Sequence, residues 1–428
     1  MKLWDKGYTV NNLVERYTVG NDREWDQRLI PFDIQTNRAH AAMLHKIGLL
    51  AAEEWKSLSS ALDGLQKQWE RGELKIGDTF EDVHSWLEHL LTEQCGDAGR
   101  KIHTARSRND QVLTDLHLYA KDSVLVVSAA VLDLFERLME LAEIHKERLL
   151  PGYTHMQVAM PSSFGLWFSA HAESLIDDMI LLNAAYRMAD QNPLGSAAGY
   201  GSSFPIDRML TTELLGFGTM RYNSVGAQLS RGRLEKTVSY ALSSVSSTLS
   251  KMADDICLYM SQNFAFVTFP KELTTGSSIM PHKQNPDVFE VMRARCNSVQ
   301  QSSAHLTVLT SNLTSGYHRD FQELKGVFME SIETTIDNLE VATFMLQHIQ
   351  VLPDCVGLPI YDGMYTVESL HERVLQGVPF RTAYQQLAKE VADGTFVPNR
   401  EIKHTHEGSI GNLCLAEIRK KMEAVKLG

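Results

Sequence analysis

No uninterrupted apolar run in these 428 residues approaches the roughly 20 needed to cross a bilayer, and the opening segment MKLWDKGYTVNNLV has no apolar core of signal-peptide length. Neither a membrane protein nor an exported one is expected, and the default location is cytoplasmic. Cysteine is scarce as well. Cys95, Cys257, Cys296, Cys355 and Cys414 are scattered, odd in number and free of C-x-x-C spacing, so they read as apolar fillers in a reducing compartment rather than a disulfide framework or metal site. No H-E-x-x-H or comparable grouping occurs, and neither metal nor cofactor is expected. Positive charge is short: 41 Lys and Arg against 53 Asp and Glu leave a net charge of −12. That balance argues against a general nucleic-acid or membrane-surface binder, and an anionic substrate must be held by local cations. Internal repeats and low-complexity tails are missing, and strand signals are sparse.

Glycine and proline are absent over long distances, from Lys101 to Leu150, Arg233 to Phe269, Asp287 to Ser315 and Val327 to Leu352. These lengths exceed any ordinary strand. Within the first of them Val124, Val131, Leu132, Phe135, Leu138 and Leu141 recur at helical spacing. A helix of 30 residues spans roughly 45 Å, so its apolar face must find other long helices, and the expectation is an all-α chain with a central bundle. Serine, alanine and threonine recur along 233–263 and 296–315, which favours close helix approach, and apolar stripes too wide for one bundle favour association of subunits. Three regions are expected: 1–100, with shorter helices broken at Gly20, Pro31, Gly64 and Gly72; 101–352, with the long helices; and 353–428, a small terminal region with short helices such as 380–392.

Four polar clusters carry the chemistry. Gly276–Glu290 reads GSSIMPHKQNPDVFE. Gly276 lets the backbone turn, while Pro281 and Pro286 stiffen it and remove two amide donors. Free N–H groups beside Lys283 suit a carboxylate that gains negative charge when a proton leaves the adjacent carbon. Taken alone, the segment is equally a polar loop capping the next helix. His103–Gln111 reads HTARSRNDQ before a long helix expected to begin near Val112, an arrangement suited to an anion or to a plain helix cap. Pro151–Gln157, PGYTHMQ, places Thr154 and His155 after a proline-glycine break, and a histidine there is either a surface residue or a proton-transfer group. Ser315–Lys325, SGYHRDFQELK, offers a phenol, an amide and an ammonium, or simply starts a helix.

The string GSSIMPHKQNP resembles the signature loop of the fumarase/aspartase superfamily, G-S-S-x-M-P-x-K-x-N-P, with every fixed position filled. GDAG followed by KIHTARSRNDQ, G-Y-T-H-x-Q, and Y-x-x-D-x-Q-x-x-K resemble the argininosuccinate lyases in particular, and the resemblance covers roughly residues 15 to 350. It implies reversible cleavage of argininosuccinate to arginine and fumarate through an aci-carboxylate, without a cofactor. It further implies a homotetramer in which each site draws on three chains. By the same resemblance Ser277 is the base, Lys283 and Asn285 hold the carboxylate, and His155 is the acid for the departing nitrogen, although the direction of proton transfer between Ser277 and His155 is open. Glu290 falls where a carboxylate pairs with that histidine. Thr154, Ser107, Arg108 and Asn109 match substrate contacts, as do Asp26 and Asp82, and Tyr317, Gln322 and Lys325 match residues for the arginine moiety.

The chain also departs from that pattern. Asp22 stands where many such chains carry serine, and His282 replaces a commoner glutamine. The segment NSVGAQLSRG keeps Asn223, Ser224 and Arg231 but lacks the usual aspartates, and the carboxy-terminal region is shorter than usual. Two rival readings remain: a sister lyase of the adenylosuccinate, fumarase or aspartase type, and a structural homologue of the crystallin kind, which would carry a lesion at Ser277, His155 or Lys283.

Overall fold

A computed structural model describes residues 11–353 and 356–427, so the first ten residues of the opening segment and Cys355 lie outside the described residues. Five long helices dominate: Arg108–Ile144, Phe164–Ala189, Arg233–Met260, Asp287–Leu309 and Leu324–Gln347. The first, at 37 residues, runs about 55 Å at 1.5 Å per residue. Four of the five lie almost wholly inside the stretches that lack glycine and proline. The chain is all-α in class, as expected. No described helix is long and apolar enough to cross a membrane.

The residues fall into two compact units interleaved along the chain. Of the described residues, one unit comprises 11–128, 181–244 and 298–336, the other 129–180, 245–297, 337–353 and 356–427. The first unit holds the helices Ile30–Lys46, Ala52–Glu70 and Val83–Cys95 and a core in which Ala39, Leu118, Leu194, Leu215 and Phe217 cluster. Gly20 and Gly72 end helices, with φ near +53° and +70°, and Pro31 sits in the first turn of its helix. Gly64 does not break anything. It lies inside Ala52–Glu70, where good helix formers on both sides absorb the roughly 1 kcal/mol cost of one glycine.

The Arg108–Ile144 helix starts four residues before the expected Val112, because Ser107 and Asp110 cap it: the Ser107 N–H donates to Asp110 Oδ1 at 2.8 Å. In the second unit, strands Leu149–Thr154 and Gln157–Ser163 form an antiparallel hairpin with an irregularity between Pro151 and Tyr153. Its turn is His155–Met156, both left-handed at φ +52° and +60°. A ring ladder, Tyr153–Phe264–Phe266–Tyr361, with centroids 5.4, 5.4 and 6.1 Å apart, packs behind it. The helix Phe380–Ala392 in the carboxy-terminal region occupies the expected positions.

Candidate active site

The polar clusters separate by unit. Asp26, Asp82, Ser107, Arg108, Asn109, Arg231, Tyr317, Gln322 and Lys325 belong to the first, and Thr154, His155, Ser277, Lys283, Asn285 and Glu290 to the second.

In the first unit a chain of charges joins residues that are far apart in sequence. Lys325 Nζ lies 2.5 Å from Asp26 and 2.9 Å from Asp22, with Lys325 and Asp26 buried and Asp22 slightly exposed. Burial works against the ammonium, but the two carboxylates outweigh it and raise its pKa. Burial likewise raises the Asp26 pKa, against the pull of Lys325. The other Asp26 oxygen accepts the Val83 N–H at 3.1 Å. The neighbouring Asp82 caps its helix by accepting the Ser85 N–H at 2.8 Å and pairs with Arg108 at 3.1 Å. Arg108 also donates to Ser85 Oγ. The helix start is further organised by the Asn109 N–H, which donates to Ser107 Oγ at 3.2 Å.

Other members of the set are held by their own chain. Gln322 Nε2 donates to the Thr18 and Val19 carbonyls at 2.9 and 3.0 Å. Arg231, buried, pairs with Glu235 at 2.8 Å and donates to the Phe321 carbonyl at 2.9 Å. Arg231 thus braces the segment that carries Gln322, which gives a structural reason for an arginine there even though the neighbouring aspartates are gone. Tyr317 packs on Phe321 with centroids 6.1 Å apart and remains 38 % exposed.

Beneath this chain lies a network that sequence reasoning missed. His84 Nδ1 sits 3.1 Å from Asp33 and 3.6 Å from Asp115. Thr36 donates to Asp115 at 2.6 Å, and Gln111 donates to Asp33 at 2.7 Å. Burial disfavours a charged His84, yet the carboxylates of Asp33, Asp115 and Asp82 prevail and push its pKa up to about 9. Among the described residues this trio has donor spacing that could hold a metal ion. A protonated His84, however, already supplies the cation Asp33 needs, while burial and the neighbouring Asp33 push the Asp115 pKa well up. The D-V-H spelling at 82–84 was the one available signal, and it carries no information about residues 33 and 115.

In the second unit the Gly276–Glu290 loop is closed at its base by a bridge between Thr275 and Asn285. The Asn285 N–H donates to the Thr275 carbonyl at 2.9 Å, and its side-chain amide donates to the Gly276 carbonyl at 3.4 Å. Thr275 in turn donates to Asp287. Inside the loop Ser277 Oγ, half-buried, accepts the N–H groups of Ile279 and Met280 at 3.3 and 3.2 Å. Lys283 is exposed on the same loop, and Glu290 is exposed in the first turn of Asp287–Leu309. Thr154 and His155 are exposed at the hairpin tip. Among the described contacts within one chain, no ion pair joins His155 to Glu290.

What the second unit can do chemically is stabilise negative charge at a serine oxygen: two amides already converge on it, beside a lysine on the same loop. What the first can do is hold a polyionic ligand at a capped helix start and at the Lys–Asp–Asp group.

A protein-family model described as a lyase matches residues 12–301. The chain is similar to the argininosuccinate lyase of Parabacteroides distasonis, 48 % identical over 424 residues that span 99 % of this chain and 95 % of the relative. Its similarity to the argininosuccinate lyase of Bacteroides fragilis is 49 % identity over 422 residues, 99 % of this chain and 94 % of the relative. Among solved structures, EDDS lyase in complex with formate has a TM-score of 0.75 at 19 % identity, covering 98 % of this chain and 90 % of that one. At that identity the likeness shows the fold alone.

Proposed function

The chain belongs to the argininosuccinate lyase family, and we propose that it cleaves argininosuccinate reversibly to arginine and fumarate at a site assembled from several copies of itself. A proton leaves the succinyl carbon next to one carboxylate, giving an aci-carboxylate dianion. The bond from the neighbouring carbon to the guanidino nitrogen then breaks, and that nitrogen is protonated as it departs. Ser277 takes the first proton and His155 supplies the second. An ordinary serine hydroxyl is too weak a base, and the observation that carries the assignment is the pair of amides converging on Ser277 Oγ, which stabilise the alkoxide on closure over substrate. Lys283 and Asn285 hold the carboxylate that becomes the dianion, and Thr154 orients it.

Ser107, Arg108 and Asn109 receive the carboxylates of the fumarate half, with Asp82 holding Arg108 in place. Tyr317, Gln322 and Lys325 with Asp26 form the arginine end, where Lys325 acts through the carboxylates it neutralises. Glu290 pairs with His155 of another chain, since within one chain both are exposed. This reading calls for a homotetramer with each site drawing on three chains, working in the cytoplasm and needing no metal or cofactor.

The test is fumarate release, followed by ultraviolet absorbance, with argininosuccinate, adenylosuccinate, aspartate and malate offered in parallel. Fumarate and arginine in equal amounts from argininosuccinate alone is the expected result. Activity on another of the four overturns the substrate assignment, and silence on all of them overturns the reaction.

A further inference from the structure

Asp110 does more than its position requires. As the third residue of the Arg108–Ile144 helix it is placed to cap the helix start, and Oδ1 does so by accepting the Ser107 N–H at 2.8 Å. An acid in that role ordinarily leaves its second oxygen in water. Here the side chain is fully buried, and Oδ2 accepts two further N–H groups, from Gly195 at 2.9 Å and Ala197 at 2.8 Å. Those donors converge only because the backbone turns through left-handed conformations at Gly195 and Ala197, with φ +87° and +51°. Gln228 holds the same turn from its other side, with its amide 3.4 Å from Ser196 Oγ. A Cβ at Gly199 would lie 2.7 Å from the Gln228 side chain, so this turn is packed as well as bonded. A helix cap explains one oxygen of Asp110 and leaves the other unexplained.

We propose that Asp110 is the positioning residue of the carboxylate-binding helix start, clamping the Gly195–Ala197 turn onto Ser107–Asn109 so that the fumarate half of the substrate meets a preformed cradle. The inference rests on the proposed function, because it takes Ser107, Arg108 and Asn109 as the receivers of that half. The physical reason is that three backbone N–H groups on one carboxylate form a charge-assisted, buried junction that fixes two segments as one body. A cradle fixed in advance loses little order when an anion binds. Asparagine at 110 keeps the volume but replaces one acceptor oxygen with an N–H₂ group, which cannot accept and is set against N–H donors of the backbone.

Product inhibition separates this role from a purely structural one, since fumarate and arginine report on opposite ends of the site. For Asp110→Asn in the assembled enzyme, the inhibition constant of fumarate is expected to rise at least tenfold while that of arginine changes less than threefold, with KM following fumarate. Gly195→Ala reaches the clamp from the turn, where its new methyl would lie 2.8 Å from the Arg208 side chain, and it should give the same fumarate-selective loss if the first variant does not assemble. Unchanged fumarate inhibition in an assembled variant, or equal weakening of both products together with a lower melting temperature, overturns the proposal. Failure of the parent enzyme to release fumarate at all instead removes the reading on which it rests.

Discussion

Two carboxylates facing one ammonium is an unusual balance for a buried place. Lys325 stabilises Asp22 and Asp26 together, so its removal leaves the buried Asp26 and the nearly buried Asp22 without that cation. Breaking a buried pair from one side costs about 3–5 kcal/mol. Lys325→Met is therefore expected to lose stability of that order at neutral pH, whereas Asp22→Asn, which leaves Asp26 paired, is expected to lose much less. Urea unfolding of both variants checks the ranking, and equal costs would show that Asp22 carries as much of the pairing as Asp26. His84 gives the residue scale its pH dependence. Its folded pKa of about 9 exceeds the ordinary 6.5, so the stabilisation is fully present below about pH 6.5 and is lost as pH rises through about 9. Denaturation midpoints between pH 6 and 10 should fall more steeply for the parent than for His84→Asn, and parallel curves would contradict the assignment. The contrast with Ser277 shows what a sequence can disclose. Ser277 and Lys283 lie in one short loop and were legible as a unit, while Asp33, His84 and Asp115 are assembled from three separate helices, with no local spelling to mark them.

At the scale of the element, the long helices were legible because their cause is local: glycine and proline are missing and apolar residues recur at helical spacing. Boundaries were less so, since the start at Arg108 depends on a cap formed by Asp110, which shifts the helix by a turn. The hairpin was not legible at all. Two-residue hairpin turns normally announce themselves with Asn-Gly or Gly-rich pairs, and this one uses His155–Met156 in left-handed conformations. Strain at that point is the kind that persists at functional sites because packing around it enforces it, and the Tyr153–Phe264–Phe266–Tyr361 ladder supplies such packing. A second element-scale contact is tighter still. A Cβ at Gly165 would lie 2.5 Å from Lys146 Cα and 2.7 Å from the Ala142 carbonyl, both backbone atoms that cannot step aside. Gly165→Ala is expected to cost about 3 kcal/mol or more, read as a lowered melting temperature. A melting temperature equal to that of the parent would show that the helix crossing is looser than the geometry states.

For the whole molecule, the residues assigned to proton transfer all belong to one unit and most of those assigned to substrate contact belong to the other. Large apolar side chains such as Val308, Val291 and Phe344 stand 72 %, 51 % and 47 % exposed on the long helices of a single chain, which agrees with helices that continue their packing against other copies. The proposal that several copies complete each site is tested by mixing two inactive variants, Ser277→Ala and His155→Asn, dissociating and reassociating them together, and measuring fumarate release from argininosuccinate. Each variant alone should be silent. Mixed oligomers should recover activity, because some sites then draw an intact Ser277 from one chain and an intact His155 from another. Silence from mixtures shown by mass spectrometry to contain both subunits would contradict the account.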